Sequence, residues 1–270
     1  MDIIVCVKHV PDATADRRFE SDHTVDRVGV DGLLSELDEY AVEQALQLKE
    51  KSEDPSATTV TALCVGPEKA VDAVRKALQM GCDAGIHVTD EAIAGSDYIA
   101  TSLVLAKAVE KAGSELASGR ADLVMCGMAS TDASGSVVPA MMAERLGLPQ
   151  VTLASVVETQ GDQVRIKRDG DTSTEVVGAT MPILLSVTDQ TGEARYPSFK
   201  GIMAAKKKPM TTWSLADIDV DPGTVGLSVA WSAVAETHQR PPRSAGEIVK
   251  DEDGSGAPAL AGFLASKKFI

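Results

Sequence analysis

Four times within the first 150 residues a short apolar run gives way to a stretch with helical spacing. The apolar runs are 3–7, 60–65, 86–88 and 123–126. After the first, Leu37, Ala41, Ala45 and Leu48 recur on one helical face, and Ser35 with Asp38 reads as an N-cap and a short capping box. After the second, Gly66-Pro67 opens a stretch carrying Ala70, Val71, Val74 and Leu78, and Gly81 is placed to close it. Ile99, Leu103, Ala106 and Val109 give the third helix, and 137–146, closed by Gly147, the fourth. Strand–helix alternation of this kind predicts an α/β fold, a Rossmann-like, doubly wound, mostly parallel sheet.

Composition agrees. The chain is 44% apolar but only 3% aromatic, so its core is built from Ala, Val, Leu and Ile, as buried parallel strands require. A length of 270 residues allows one large domain or two small ones. The net charge of −14 repels phosphate backbones, which argues against a nucleic-acid partner. No apolar run reaches a membrane span of about 18–20 residues, so no direct membrane insertion is expected. The N-terminus enters a strand-like run without a basic region, which reads as having no signal peptide. Cys6, Cys64, Cys82 and Cys126 are scattered and read as small buried thiols of a cytoplasmic protein. His9, His23, His87 and His238 lack metal-ligand spacing.

The pattern changes beyond residue 150. Runs at 152–158 and 164–168 flank Gly161-Asp162 as a hairpin, and 175–179 and 183–187 add two strands, together an antiparallel extension of the sheet. Regularity then fades. Residues 1–235 read as a nucleotide-binding α/β domain. Residues 236–270 read as an arm with one small-residue helix at 257–266 and too little apolar surface to fold alone, so it is expected to pack on another body. Between them, residues 194–208 read ARYPSFKGIMAAKKK, an apolar tip beside a basic run. That stretch fits a docking element, and it also fits a surface loop leading into a solvated basic helix.

Ligands of open α/β sheets bind at the carboxyl ends of the strands where strand order reverses, which selects the loops after the first and fourth strands. The fourth-strand loop runs Gly127, Met128, Ala129, Ser130, Thr131, Asp132, Ala133, Ser134, Gly135, Ser136, Val137 and Val138. It is small and polar and feeds a helix N-terminus, where free N–H groups hold phosphate; an ordinary capping loop is the alternative. The chain has no GxxxxGKS/T, no GxGxxG after its first strand and no GxSxG elbow. A nucleotide-holding fold without visible acid–base residues suits electron transfer, in which a bound cofactor carries the chemistry.

Six ordered segments together resemble the β subunits of electron-transfer flavoproteins: VCVKHVPD from Val5, LDEYAVEQALQLKE from Leu37, GPEKAVDAVRKALQMGCDAGIHV from Gly66, DLVMCGMASTD from Asp122, PAMMAERLGLP from Pro139 and RYPSFKGIMAAKKKP from Arg195. The resemblance implies a heterodimer with an α subunit that mainly holds one FAD, and a structural AMP in the β chain. The implied AMP pocket takes in Cys6, Ser35, Glu36, Leu37, Asp38, Val65 and the 127–138 loop. The implied docking segment is Arg195, Tyr196, Pro197, Ser198, Phe199 and Lys200, with Phe199 as anchor. Ala13 and Leu37 fall where the family approaches the flavin edge. Electrons would pass from acyl-CoA-type dehydrogenases to a quinone oxidoreductase. Three departures stand out: Val137-Val138-Pro139 replaces a Gln-Thr-Gly-like turn, leaving Ser134 or Ser136 to supply the hydroxyl; Ala13 brings no aromatic near the flavin; and Phe199 replaces an aliphatic anchor. The rival readings are a stand-alone ATP- or AMP-binding sensor and an electron-bifurcating subunit with a second FAD.

Overall fold

The computed structural model describes residues 1–14, 17–238, 241, 246, 248–251 and 253–270. The chain divides into two compact units, Met1–Ala235 and Glu236–Ile270.

The first unit begins with β1 (Asp2–Val7), the short strands β2 (His9–Pro11) and β3 (Gly32–Leu34), and α1 (Glu36–Lys51). It continues through β4 (Thr59–Val65), α2 (Val71–Met80), β5 (Ala84–Val88), α3 (Tyr98–Ser114), β6 (Leu123–Gly127) and α4 (Val138–Leu146). After these come β7 (Gln150–Ala154), β8 (Val156–Gln160), β9 (Gln163–Asp169), β10 (Thr174–Thr180), β11 (Ile183–Val187), α5 (Phe199–Ala205) and β12 (Met210–Trp213). The second unit carries α6 (Gly256–Ser266).

Seven strands form the central sheet in the order β12-β5-β4-β1-β6-β11-β7, every pairing parallel. The chain winds outward from β1 in both directions, so strand order reverses between β1 and β6. Successive side chains of a strand point to opposite faces, and the core follows that rule. Ile3, Val5, Val60, Ala62, Met125 and Leu185 join one buried cluster with residues of α1 and α2. Ile4, Leu63, Val124 and Leu184 join the other with residues of α3 and α4. The strands need apolar residues on both faces, and that need explains their unbroken runs.

Local chemistry sets the helix ends. Glu36, Asp38 and Glu39 sit in the first turn of α1 and Lys49 and Lys51 in its last, matching the helix dipole at both ends. Asp97 caps α3 by accepting the Ala100 N–H at 3.0 Å. Gly147 ends α4 in the left-handed region with φ 62°.

The later strands correct the sequence reading in three places. Residues 183–187 are not part of an antiparallel extension: β11 lies inside the parallel sheet, between β6 and β7, with all five residues buried. A continuous apolar run buried on both faces is the mark of such a strand. The run at 152–158 breaks in two at Ser155, whose N–H turns away to the carbonyl of Lys167 in the small sheet. That sheet, β10-β9-β8, is separate and antiparallel, and Gly161 makes its hairpin with φ 59°. Finally, β12 adds an edge strand to β5 where no regular element was expected. Its four residues carry too short a pattern to read.

Large-to-small changes in this core are expected to be costly. Leu185 is fully buried, and Leu185→Ala should lower unfolding stability by about 2–5 kcal/mol, read as a shift in the urea midpoint.

All four cysteines are buried and unbridged. Burial pushes the Cys64 and Cys82 thiols up to about 12, which leaves them unreactive at neutral pH. Among the described residues, no helix is long and apolar enough to cross a membrane, and no three His, Cys, Asp or Glu side chains converge as a metal site.

Candidate functional site

The strand-order reversal between β1 and β6 brings together the two loops that sequence reasoning selected. Three elements meet there: the chain after β1, the start of α1, and the loop from β6 to α4.

Asp38 ties these elements to one another. Its carboxylate accepts the Lys8 N–H at 2.8 Å, and it also accepts the N–H of Gly127. Asp38 therefore does not act as a capping-box residue, and Ser35 makes no side-chain cap to α1. The helix start is fixed instead by its backbone, with the Ser35 carbonyl accepting the Asp38 and Glu39 N–H groups. Gly127 has no room for a side chain: a Cβ there would lie 2.6 Å from Asp38 Oδ1 and 2.7 Å from the Leu37 carbonyl oxygen.

Burial raises the Asp38 carboxyl to about 7, against the Lys8 N–H and ammonium that favour the ionised form, while Asp132 adds to the rise. Such a group costs stability where the unfolded chain is ionised and the folded chain resists ionising. The cost is absent below about pH 4, grows as pH rises, and is complete above about pH 7. Asp38→Asn should match the wild type near pH 4 and exceed it by up to about 4 kcal/mol at pH 8 in urea unfolding. Parallel pH profiles for the two proteins would contradict this assignment.

A second buried carboxylate lies next to the first. Asp132 has a side chain only 1% exposed; it accepts Lys8 Nζ at 2.9 Å and also pairs with Arg27. Burial pushes its pKa up, but the Lys8 and Arg27 charges outweigh burial and hold the carboxyl well below its ordinary value. Lys8 Nζ also donates to Ser130 Oγ at 3.3 Å. The loop is thus anchored to β1 and to the segment between β2 and β3. Sequence reading passed over the roles of Lys8 and Arg27. Lys8 directly follows the first strand and could have been read as a cation at its carboxyl end, whereas nothing in the pattern around Arg27 marks it.

Beyond Asp132 the backbone takes costly conformations. Ser134 and Ser136 have φ 52° and 54°, in the left-handed region, and Val137 returns to the right-handed one. Alternation of this kind turns successive N–H groups toward one side, as in anion-binding nests. Among the described residues, no acceptor in the fold takes the N–H groups of Gly135, Ser136, Val137 or Val138. Those groups open α4, with its dipole behind them. Tyr98 Oη supports the loop by donating to the Ala133 carbonyl at 3.1 Å.

The other residues singled out at this site line the same end of the sheet. Cys6 and Val65 lie at the ends of β1 and β4. Glu36 is exposed and Leu37 half-buried at the start of α1, and Met128, Ala129, Ser130 and Thr131 are half-buried. Ser35 is fully buried, and its Oγ has no hydrogen-bond partner among the described residues. Two surface hollows are distinct from the cradle, the second reaching it at Glu36. One of about 190 Å³ sits among Val156, Arg165 and Val176, and one of about 310 Å³ among Leu33, Glu36 and Lys76. The switch point is an open cradle of backbone donors.

The 194–208 segment forms a separate surface. Tyr196 and Phe199 are 91% and 81% exposed, and Met203 is 47% exposed. Lys200, Lys206 and Lys207 are exposed beside them. Ser198 caps α5 by accepting the Gly201 N–H at 3.0 Å. Arg195 is not a free docking cation: its guanidinium is engaged by Glu43 and Glu50 of α1. Lys208 likewise turns inward and donates to the Leu78 and Cys82 carbonyls. In the second unit, Leu260 and Phe263 of α6 are 59% and 53% exposed.

The model of the electron transfer flavoprotein domain family matches residues 22–218. The chain is 42% identical to the electron transfer flavoprotein subunit beta of Mycobacterium tuberculosis (strain ATCC 25618 / H37Rv) over 99% of both chains. It is 33% identical to the protein of the same name from Megasphaera elsdenii, over 94% of this chain and 93% of the other. It is 32% identical to the caffeyl-CoA reductase-Etf complex subunit CarD of Acetobacterium woodii, over 99% of this chain and 97% of the other. With a seven-stranded parallel sheet, a small antiparallel sheet and similarity that runs from end to end, the chain belongs to the electron transfer flavoprotein β-subunit family.

Proposed function

We propose that this chain is the β subunit of a heterodimeric electron transfer flavoprotein that carries electrons from acyl-CoA-type dehydrogenases to a quinone oxidoreductase. The observation that carries this reading is the extent of the family match, which takes in the exposed tip at 194–208 and the C-terminal arm as well as the sheet. A stand-alone nucleotide sensor has no use for either of those parts.

The β chain holds AMP at the switch point. The residues fit that ligand on three counts. The N–H groups of Gly135 to Val138, at the entrance to α4, have no acceptor among the described residues. The hydroxyls of Ser134 and Ser136 flank that turn, where the Val137-Val138-Pro139 sequence lacks one. The buried Ser35 Oγ is an unsatisfied polar atom at the same end of the sheet. Asp38 and Asp132 do not face the phosphate as free charges, because backbone donors and the Lys8–Arg27 pair hold them. AMP contributes no redox chemistry and ties the loop to the sheet.

FAD, held mainly by the α subunit, supplies the redox chemistry when bound. This chain contributes surface: exposed Ala13 and half-buried Leu37 present small or aliphatic groups without an aromatic to stack. The arm at 236–270, with the exposed Leu260 and Phe263 of α6, packs on the α subunit. Phe199 enters the dehydrogenase, and Lys200, Lys206 and Lys207 steer that partner electrostatically in a chain that is otherwise acidic.

Ser136→Glu tests the nucleotide placement. It sets a carboxylate among the donors that serve the phosphate, and AMP released from the purified heterodimer should fall at least about tenfold while FAD content holds. Unchanged AMP content would remove the ligand from this loop.

A further inference from the structure

The apolar tip is held at both ends by charged contacts that reach into the body of the first unit. At its entrance, Arg195 donates from Nε to Glu43 Oε2 at 2.7 Å and from Nη2 to Glu43 Oε1 at 3.0 Å. It also reaches Glu50, from Nη1 to Oε1 at 2.6 Å and from Nη2 to Oε2 at 3.1 Å. The Arg195 N–H adds a bond to Glu43 Oε2 at 3.1 Å. Glu43 has a side chain only 7% exposed, and its Oε1 also accepts Gln47 Nε2 at 2.9 Å.

At the exit, Lys208 Nζ donates to the Leu78 carbonyl at 3.0 Å and to the Cys82 carbonyl at 2.5 Å. These carbonyls lie at the C-terminal end of α2, where a cation also meets the negative end of the dipole. Between the two ends, α5 lies so close to α2 that a Cβ at Gly201 would fall 2.6 Å from the Gln79 carbonyl oxygen.

These contacts brace a segment whose own side chains contribute little to the core. Tyr196, Phe199 and Met203 stay largely exposed. A seven-residue helix does not hold itself in water. Multidentate charged contacts on so exposed a segment therefore act on its placement.

The geometry points to Arg195 and Lys208 as positioning residues that hold the Tyr196–Phe199 tip in its docking shape before the partner arrives. The inference rests on the reading that the tip docks a dehydrogenase. Ordering an apolar tip at the moment of encounter costs side-chain and backbone entropy, so a tip ordered beforehand binds tighter with the same contacts. The brace thus sets affinity for the partner and leaves the electron-transfer step alone.

The test uses the complete heterodimer with Arg195→Gln and Lys208→Gln made separately. Val124→Ala, a core change in the cluster on the opposite face of the sheet, serves as the control for plain loss of stability. Two readouts are taken: amide hydrogen exchange over 196–203, and steady-state transfer from a substrate-reduced acyl-CoA dehydrogenase. Each brace variant should speed exchange over 196–203 and raise KM for the dehydrogenase, both by about tenfold, with kcat within about twofold of wild type. Val124→Ala should lower Tm and leave both readouts unchanged.

The positioning role is overturned if exchange and KM match wild type in both brace variants, or if Val124→Ala raises KM as much as they do. It is also overturned if exchange speeds up while KM stays fixed and Phe199→Ala still raises KM. If Phe199→Ala itself leaves transfer unchanged, the docking reading fails, and the exchange data then describe a brace that serves the fold alone.

Discussion

Phe199→Ala is expected to lower kcat/KM for reduction by an acyl-CoA-type dehydrogenase about 30-fold, with FAD and AMP content unchanged. Phe199 is 81% exposed on the first residue of α5. Its ring supports little of the fold, so unfolding stability should move by no more than about 0.5 kcal/mol. An aromatic that fills a partner's pocket is an anchor whose truncation costs about 2 kcal/mol or more, and 2 kcal/mol is about 30-fold in rate. The defect should sit in KM, because the anchor acts on binding. Added salt should slow the wild type further, since Lys200, Lys206 and Lys207 lie beside the anchor and their steering is screened. Wild-type kcat/KM in the variant would remove Phe199 from the docking surface.

Asp132→Asn should be the most damaging single change at the switch point. The carboxylate is nearly inaccessible and neutralises two cations at once. Its loss leaves Lys8 and Arg27 facing one another beside an amide. Both cations are about one-third exposed and regain some hydration, which places the cost at about 3 kcal/mol at pH 7, the low end for a broken buried pair. The direction with pH follows from the depressed carboxyl. Its contribution is complete above the unfolded value of about 3.9 and fades as pH falls through the folded value. The gap between wild type and the Asp132→Asn variant in urea unfolding should therefore be constant from about pH 5 to pH 8 and narrow below about pH 4. Asp38→Asn has the opposite dependence, with its difference opening as pH rises toward about 7. Two buried carboxylates at one site would thus be distinguished by the sign of their pH profiles. AMP retention should also fall in the Asp132→Asn variant, because Asp132 anchors the loop that leads to the α4 donors.

The parts of the fold written in repeating patterns were legible in the sequence. Leu37, Ala41, Ala45 and Leu48 marked α1 because a helix against a sheet must bury residues three and four apart. The runs at 3–7 and 123–126 marked the strands of the switch point because buried parallel strands tolerate no polar interruption. The direction of residues 183–187 was not legible, since ILLSV reads the same whichever way its neighbours run and its place depends on the chain returning from β10. β12 was too short, and its pairing is made by β5, more than 100 residues away in the chain.

At the site, the position of the 127–138 loop followed from fold logic, but its internal chemistry did not. Asp38 sat where a capping residue would, and its long-range contacts to Lys8 and Gly127 cannot be read from local spacing. The Lys8–Asp132–Arg27 group joins Asp132 to two residues more than 100 positions earlier in the chain. Arg195 and Lys208 read as surface cations within a basic run, and only the approach of α1 and of the α2 terminus reveals them as anchors.

The most direct test of the central claim is to co-purify this chain with its α subunit, release the bound nucleotides by heat and identify them. The expected result is a heterodimer with one FAD and one AMP. A flavin-free homodimer carrying ATP or AMP would contradict it and reduce the chain to a nucleotide sensor. Two FAD without AMP would place a second flavin at the switch point and contradict the assignment of the loop.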